Sequence, residues 1–168
     1  ITLLGASRRY LNTSGENSLA GKVFVSSGLG GMSGAQGKAA MIAGCVGVFA
    51  EINPRAMDKR YEQRWITKYS DSLDQVLLSI ENARKAKKGT AIGYLGNAVD
   101  LWEALVKSGI QVDLGSDQTS LHNPFGGGYY PVDITFSEAR EMMQNLPENF
   151  KQAVWNSLRR QVKAINVM

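Results

Sequence analysis

The stretch Lys22-Val-Phe-Val-Ser-Ser-Gly-Leu-Gly-Gly-Met-Ser-Gly-Ala-Gln36 decides the fold. It starts with the β-forming residues Val23, Phe24 and Val25 and continues through a glycine-rich turn. The segment from Ala35 to Cys45 that follows is small, apolar and free of proline. This order predicts a strand, a tight turn and a helix.

The turn has the glycine spacing of a dinucleotide-binding fingerprint, Gly-x-Gly followed by small residues. Glycines allow the chain to reverse and allow its backbone to approach phosphates, while the start of the next helix offers free N–H groups. The same pattern is also typical of an ordinary tight connection between a strand and a helix. Under the first interpretation, the residues of the turn that approach the phosphates are Gly30, Gly31, Met32, Ser33 and Gly34.

A second apolar strand, 46–51, ends in an acidic residue, Glu51, which lies 51 − 30 = 21 residues after Gly30. That spacing is typical of a carboxylate that binds an adenosine ribose. An acid there favours NAD over NADP by repelling a 2′-phosphate, although Arg55 and Arg60 could offset the repulsion. The alternative is that Glu51 simply ends the strand in solvent.

The alternation of strands and helices continues along the chain. Residues 71–89 form a predicted helix closed by Gly89, residues 90–95 a strand, residues 97–109 a helix with an approximate capping box, and residues 110–114 a strand. Connections of this length require parallel crossovers. The predicted fold class is therefore α/β, a Rossmann-like parallel sheet with helices on both faces, and ligands of such sheets bind at the carboxyl ends of the strands.

The composition narrows the function further. The 168 residues fit a single domain, and no apolar run is long enough for a membrane span. The net charge of +4 is mild, which argues against a nucleic-acid partner. With one cysteine and one histidine, the sequence offers no cluster of metal ligands. A single cysteine also excludes an internal disulfide, which favours a cytoplasmic location. Cys45, in an apolar setting, is predicted to be a buried structural thiol.

Both ends of the sequence resemble helices that lack a stop signal. We expect residues 1–168 to be one domain excised from a longer chain, with terminal helices at 1–12 and 148–168 that pack on a missing core domain.

The segment 115–131 is too long and too rich in glycines and hydrogen-bonding groups for a plain connector, so we expect it to cover the site. Within it, His122 is equally compatible with a structural and a functional role. Tyr129 and Tyr130 could either anchor the loop or contact a ligand. Asn97 could likewise be a helix cap, a ligand contact, or both.

At these residues the chain resembles the urocanase family. The resemblance rests on Gly28-Leu-Gly-Gly-Met-Ser-Gly-Ala-Gln36, Gly96-Asn-Ala98, Asp117-Gln-Thr-Ser-Leu-His122 and Gly128-Tyr-Tyr-Pro131, and it covers essentially all 168 residues. It implies the NAD-binding domain of a hydratase that adds water to urocanate in histidine breakdown, with NAD as an electrophile and not a redox carrier. It also implies a homodimeric full-length protein in which urocanate meets the missing core domain.

The resemblance also implies that the catalytic groups lie outside this chain. The family's catalytic cysteine belongs to its other domain, and Cys45 does not match its context, so no catalytic residue is expected here and this piece alone should be inactive. An NAD-dependent dehydrogenase domain and a non-catalytic nucleotide sensor are the alternatives, and the long loop argues against both.

The resemblance implies a set of NAD contacts spread along the chain. They are Gly31, Met32 and Ser33 at the pyrophosphate, Glu51 at the ribose, and then Asn97, Ala98, Gln118, Thr119, Ser120, Leu121, His122, Tyr129 and Tyr130.

Overall fold

A computed structural model describes residues 2–15, 19–31, 33–117, 119 and 121–168. The described part of the chain contains five strands and seven α-helices that largely alternate. The strands are β1 (Val23–Ser27), β2 (Val46–Glu51), β3 (Lys68–Ser70), β4 (Thr90–Leu95) and β5 (Leu114–Gly115). The helices are α1 (Thr2–Tyr10), α2 (Gln36–Ala43), α3 (Pro54–Glu62), α4 (Leu73–Ala86), α5 (Ala98–Ser108), α6 (Phe136–Asn145) and α7 (Pro147–Ile165), with short 3₁₀ turns at Ser33–Ala35 and Pro124–Gly126.

The five strands form one parallel sheet in the order β3-β4-β2-β1-β5. This confirms the predicted fold class, and β1, β2 and β4 are parallel neighbours within the sheet. The four strands β4-β2-β1-β5 repeat the 3-2-1-4 order of a dinucleotide-binding sheet. The chain runs outward from β1 through β2 to β4 and then returns to the other side of β1. The topological switch point therefore lies between β1 and β5.

Alternate residues of the strands build two cores, one on each face of the sheet. On β2, Val46, Val48 and Ala50 face α4 and α5, whereas Phe49 packs with Met57 of α3 on the opposite face. Burial on both faces explains why β2 and β4 are continuous apolar runs. Helices therefore cover both faces of the sheet, as the sequence predicted.

A third, smaller core joins α6 and α7 to the loop that precedes them. Its fully buried members are Tyr129, Ala139, Phe150 and Val154. Thr135 and Glu138 form a complete capping box at the start of α6. This cluster holds the loop after β5 against the rest of the domain.

The structure corrects two of the predicted boundaries and one predicted helix cap. Helix α4 ends at Ala86, with Lys87 in the left-handed conformation as its cap, so Gly89 does not close it. Gly89 instead permits a close approach, because a Cβ atom there would lie 3.0 Å from the Met41 carbonyl oxygen. The predicted strand 110–114 shares only Leu114 with the observed strand, Leu114–Gly115. Asn97 caps α5 by accepting from the Val99 amide at 3.0 Å, in place of the predicted capping box.

The terminal helices are present as α1 and α7. Helix α7 packs on α5 and α6, yet it leaves Trp155, Val162 and Ile165 exposed on its outer side. Within the described ranges, the helices are too short or too polar to cross a membrane.

Candidate functional site

A cavity of about 280 Å³ opens at the carboxyl ends of β1, β2 and β4, where parallel α/β sheets bind their ligands. Its walls come from the glycine turn, the end of β2, the start of α5 and the loop before α6. It includes eight residues of the predicted site: Gly30, Ser33, Glu51, Asn97, Ala98, Thr119, Tyr129 and Tyr130.

The glycine turn leaves the sheet directly from β1. Gly28 adopts a φ of +82°, a left-handed conformation that favours glycine, and its amide donates to the Ala50 carbonyl at 2.9 Å. Gly30 is exposed and faces the cavity, whereas Gly31 is exposed but lies outside the cavity wall. Gly34 is buried behind the turn, where a Cβ atom would overlap the Arg60 guanidinium.

Glu51 is held in place at the end of β2 by two main-chain amides. Its Oε2 accepts from the Leu29 amide at 2.6 Å, and its Oε1 accepts from the Asn53 amide at 2.9 Å. The carboxylate thus joins the glycine turn to the segment before α3. Each oxygen keeps a further lone pair for a ligand hydroxyl, so the bound carboxylate is still able to act as an acceptor in the cavity.

Asn97 acts as a helix cap and as an anchor for the loop before α6. Its Oδ1 accepts from the Val99 amide at 3.0 Å, and its Nδ2 donates to the Tyr130 carbonyl at 2.9 Å. Asn97 and Ala98 line the cavity at the start of α5, where the first main-chain amides of a helix have no partner within the helix.

The two tyrosines of the loop differ in their roles. Tyr129 is 2% exposed, and its hydroxyl donates to Gln161 Oε1 of α7 at 2.7 Å, so this hydroxyl is directed into the domain. Burial, and then the nearby Asp117 carboxylate, raises the pKa of Tyr129 well above its ordinary value. Tyr130 packs on Phe136 with ring centroids 4.8 Å apart.

The segment after β5 is organised by Asp117. Its Oδ1 accepts from the Ser27 hydroxyl at 2.8 Å and from the Thr119 amide at 2.8 Å, while its Oδ2 accepts from Gln161 at 2.7 Å. This arrangement places Thr119 against the cavity. Leu121 and His122 are exposed and lie outside the cavity wall. The predicted contacts Met32, Gln118 and Ser120 lie outside the described residues.

Ten residues of the cavity wall lie outside the set of predicted contacts, among them Asn53, Ala56 and Phe136 at the starts of helices α3 and α6. The first two belong to the start of α3, a helix that the sequence analysis missed. Asn53 caps α3 by accepting from the Arg55 amide at 3.1 Å, with Pro54 at its first position. An Asn-Pro pair shortly after a strand is a recognisable helix-start signal.

Cys45 is remote from the cavity, because it precedes Val46 at the amino end of β2. Its side chain is 1% exposed, and burial raises its pKa to about 12. A thiol with this pKa is not a nucleophile at neutral pH, which agrees with the predicted structural role. Among the described residues, no group of three or more His, Cys, Asp or Glu side chains could hold a metal ion.

The strand order, the glycine turn and the cavity at the carboxyl ends of the strands define a Rossmann-like domain of the nucleotide-binding class. Comparison with known families then gives a specific match, since residues 1–168 match the family described as "Urocanase Rossmann-like domain". The chain belongs to the urocanase family and forms its Rossmann-like domain.

Curated relatives agree with this assignment. The chain is 56% identical over 171 residues to the urocanate hydratase of Mus musculus and 55% identical over 171 residues to that of Homo sapiens. It is 54% identical over 167 residues to a probable urocanate hydratase of Caenorhabditis elegans. These matches cover 99% of this chain but only 24–25% of each relative, so the chain spans about a quarter of the length of the relatives.

Proposed function

We propose that this chain is the NAD-binding domain of a urocanate hydratase, an enzyme that adds water to urocanate in histidine breakdown. The observation that carries the proposal is the cavity at the carboxyl ends of β1, β2 and β4, which brings the glycine turn, Glu51 and the start of α5 together. The family and the names of the relatives support the reaction.

The residues present fit a dinucleotide. The exposed main chain at Gly30 suits a phosphate, and the Glu51 carboxylate suits a ribose hydroxyl beside it. A volume of about 280 Å³ is close to the lower end of typical ligand pockets, roughly 300 Å³, and would enclose one end of the dinucleotide. When bound, NAD would supply an electrophilic nicotinamide ring that acts as an electron sink.

The residues of this chain would bind and orient, while the catalytic groups belong to the rest of the enzyme. Glu51 and the glycine turn would hold the adenosine half of NAD, and the loop around Thr119 and Tyr130 would close over it. We further propose that urocanate binds through another part of a longer, homodimeric, cytoplasmic protein. The exposed apolar residues Trp155, Val162 and Ile165 of α7 support contact with that part, and so does the greater length of the relatives.

The reaction can be tested on the full-length protein. We expect urocanate absorbance to disappear without accumulation of NADH. Steady production of NADH during turnover would favour the dehydrogenase alternative. The 168-residue chain alone should carry out neither reaction, and urocanate turnover by this chain would overturn the placement of the catalytic groups elsewhere.

NAD binding can be tested through Glu51→Ala in the full-length protein. Loss of a charge-assisted hydrogen bond to ribose should weaken NAD by roughly 1.5–3 kcal/mol, measured by titration calorimetry. Glu62→Ala is a matched control, because Glu62 is an exposed acid at the end of α3. Equal NAD affinity in both variants would return Glu51 to a purely structural role at the strand end.

A further inference from the structure

A buried arginine lies directly behind the glycine turn. Arg60 of α3 is 5% exposed, and its Nε donates to the Leu29 carbonyl at 2.9 Å. Its Nη2 donates to the Gly30 carbonyl, and its Nη1 donates to Gln63 Oε1 at 2.7 Å. The guanidinium also stacks on the Trp65 ring, with 5.0 Å to the ring centroid. The side chain is therefore fixed in one position from three sides.

A second side chain completes the set of donors. Gln36, at the start of α2, donates through Nε2 to the Gly28 carbonyl at 3.1 Å. The carbonyls of Gly28, Leu29 and Gly30 are thus all bonded by side chains, although Arg60 and Gln36 do not line the cavity. Three consecutive carbonyls are directed away from the cavity, so their partial negative charges do not face a bound anion.

The charge of Arg60 is also unusual. Among the described residues, no carboxylate oxygen lies within 4.0 Å of its guanidinium, since the ion pairs found there involve Lys22 and Arg160. Buried charges are normally paired, because leaving water without a counter-charge is costly. Here carbonyl oxygens and an aromatic face solvate the cation, and its net positive charge remains beneath the turn.

We propose that Arg60 is a positioning residue for the diphosphate group of the nucleotide. It turns the carbonyls of Leu29 and Gly30 away from the cavity and places a buried positive charge under the main chain that meets the phosphates. This inference rests on the proposed function and deepens it. It also means that Arg60 is already committed to the turn and is not available to bind a 2′-phosphate.

The test compares ligands that differ in their phosphates. Full-length protein carrying Arg60→Met or Arg60→Lys is titrated with NAD, ADP and adenosine in a calorimeter. For Arg60→Met, we expect NAD and ADP to weaken by about 10- to 100-fold, the range for loss of charge-assisted hydrogen bonds. Adenosine should change by less than about 3-fold, because the ribose and base contacts remain. Arg60→Lys should restore part of the ADP affinity, because it returns the charge without the forked geometry.

Matched controls separate positioning from general effects. Lys59→Met removes the same charge from the neighbouring exposed position of α3, and it should leave all three affinities unchanged. Gln36→Leu tests the same arrangement from α2, and it should reproduce the selective loss for ADP at a smaller size even if Arg60→Met does not fold.

The outcomes are distinguishable. If the unmodified protein binds neither NAD nor ADP, the proposed function fails together with this inference. If it binds both, and folded Arg60→Met and Gln36→Leu bind ADP as tightly as it does, the inference alone fails. A uniform loss for adenosine and ADP would also overturn it, because it would show that Arg60 only supports the fold.

Discussion

Replacing Gln161 with leucine should destabilise the domain more than any surface change on α7. Gln161 is 4% exposed and bonds two other groups at once, since it accepts from the Tyr129 hydroxyl and donates to Asp117, each at 2.7 Å. These two bonds join α7 to the loop after β5 and to the loop before α6. The Gln161→Leu change removes both bonds and keeps a side chain of similar size.

The magnitude follows from the two partners. A lost hydrogen bond to a carboxylate costs about 1.5–3 kcal/mol, and a stranded buried hydroxyl costs about 1–3 kcal/mol. Asp117 keeps its bonds to Ser27 and Thr119, and the leucine gains about 1 kcal/mol of apolar burial. The net loss in free energy of unfolding should be about 1.5–5 kcal/mol. For a domain of this size, that corresponds to a fall in Tm of roughly 3–20 °C.

Urea unfolding of the 168-residue chain, followed by far-ultraviolet circular dichroism, measures this loss. Gln152→Leu is the matched control, since Gln152 is exposed on the same helix and bonds only Asn156, at 3.2 Å, among the described contacts. We expect the control to lie within about 0.5 kcal/mol of the unmodified chain. Equal stability of the two variants would refute the conclusion that a buried polar network holds α7 in place.

Three further predictions concern charge, pH and shape. Glu103→Gln removes an exposed ion pair with Arg160 (2.9 Å) and should cost less than about 1 kcal/mol in urea unfolding; a loss as large as that of Gln161→Leu would contradict this. Burial raises the pKa of Cys45 to about 12, so the unfolded chain loses its thiol proton at a lower pH than the native chain. The free energy of unfolding should therefore decrease as the pH rises above about 8.5, the ordinary pKa of a cysteine. Cys45→Ala should remove this contribution to the pH dependence of stability. Rapid labelling of native Cys45 by iodoacetamide at neutral pH would contradict its burial. Gly34→Ala places a methyl group on the Arg60 guanidinium and should weaken ADP more than adenosine, as Arg60→Met does; unchanged ADP affinity would show that the turn tolerates the shift.

The sheet was predictable because its signals are local. Strand β2 is an apolar run that ends in the acidic Glu51, and β4 is an apolar run between Gly89 and Gly96. Both strands were assigned with their observed ends. Helix α3 was missed because its exposed face is strongly charged, and its inward side is reduced to Met57 and Arg60. An arginine on the inner side of a helix does not look like a core residue in a sequence.

In the predicted site, too, the position of a residue could be inferred from the nearby sequence, but its contacts with distant parts of the chain could not. Glu51 lies at the cavity, at the carboxyl end of its strand, but its bond to the Leu29 amide depends on a turn 22 residues away. For Tyr129, the sequence left anchoring and ligand contact open, and the bond of its hydroxyl to Gln161 of α7 shows that anchoring occupies this group. Side-chain direction was the missing information, because it is set by a helix that begins after the loop.

Glu51 and Arg60 bind different main-chain groups of the same glycine turn, and this explains why the turn needs both side chains. The carboxylate of Glu51 accepts from the Leu29 amide, while the guanidinium of Arg60 donates to the Leu29 and Gly30 carbonyls. A glycine-rich turn has many accessible conformations, and its ordering costs more entropy than that of other residues. The bonds from Glu51 of β2 and Arg60 of α3 offset this loss of entropy in the folded domain, before any ligand binds. The main chain at Gly30 is therefore already fixed at the edge of the cavity, and a nucleotide that binds there has less ordering left to do.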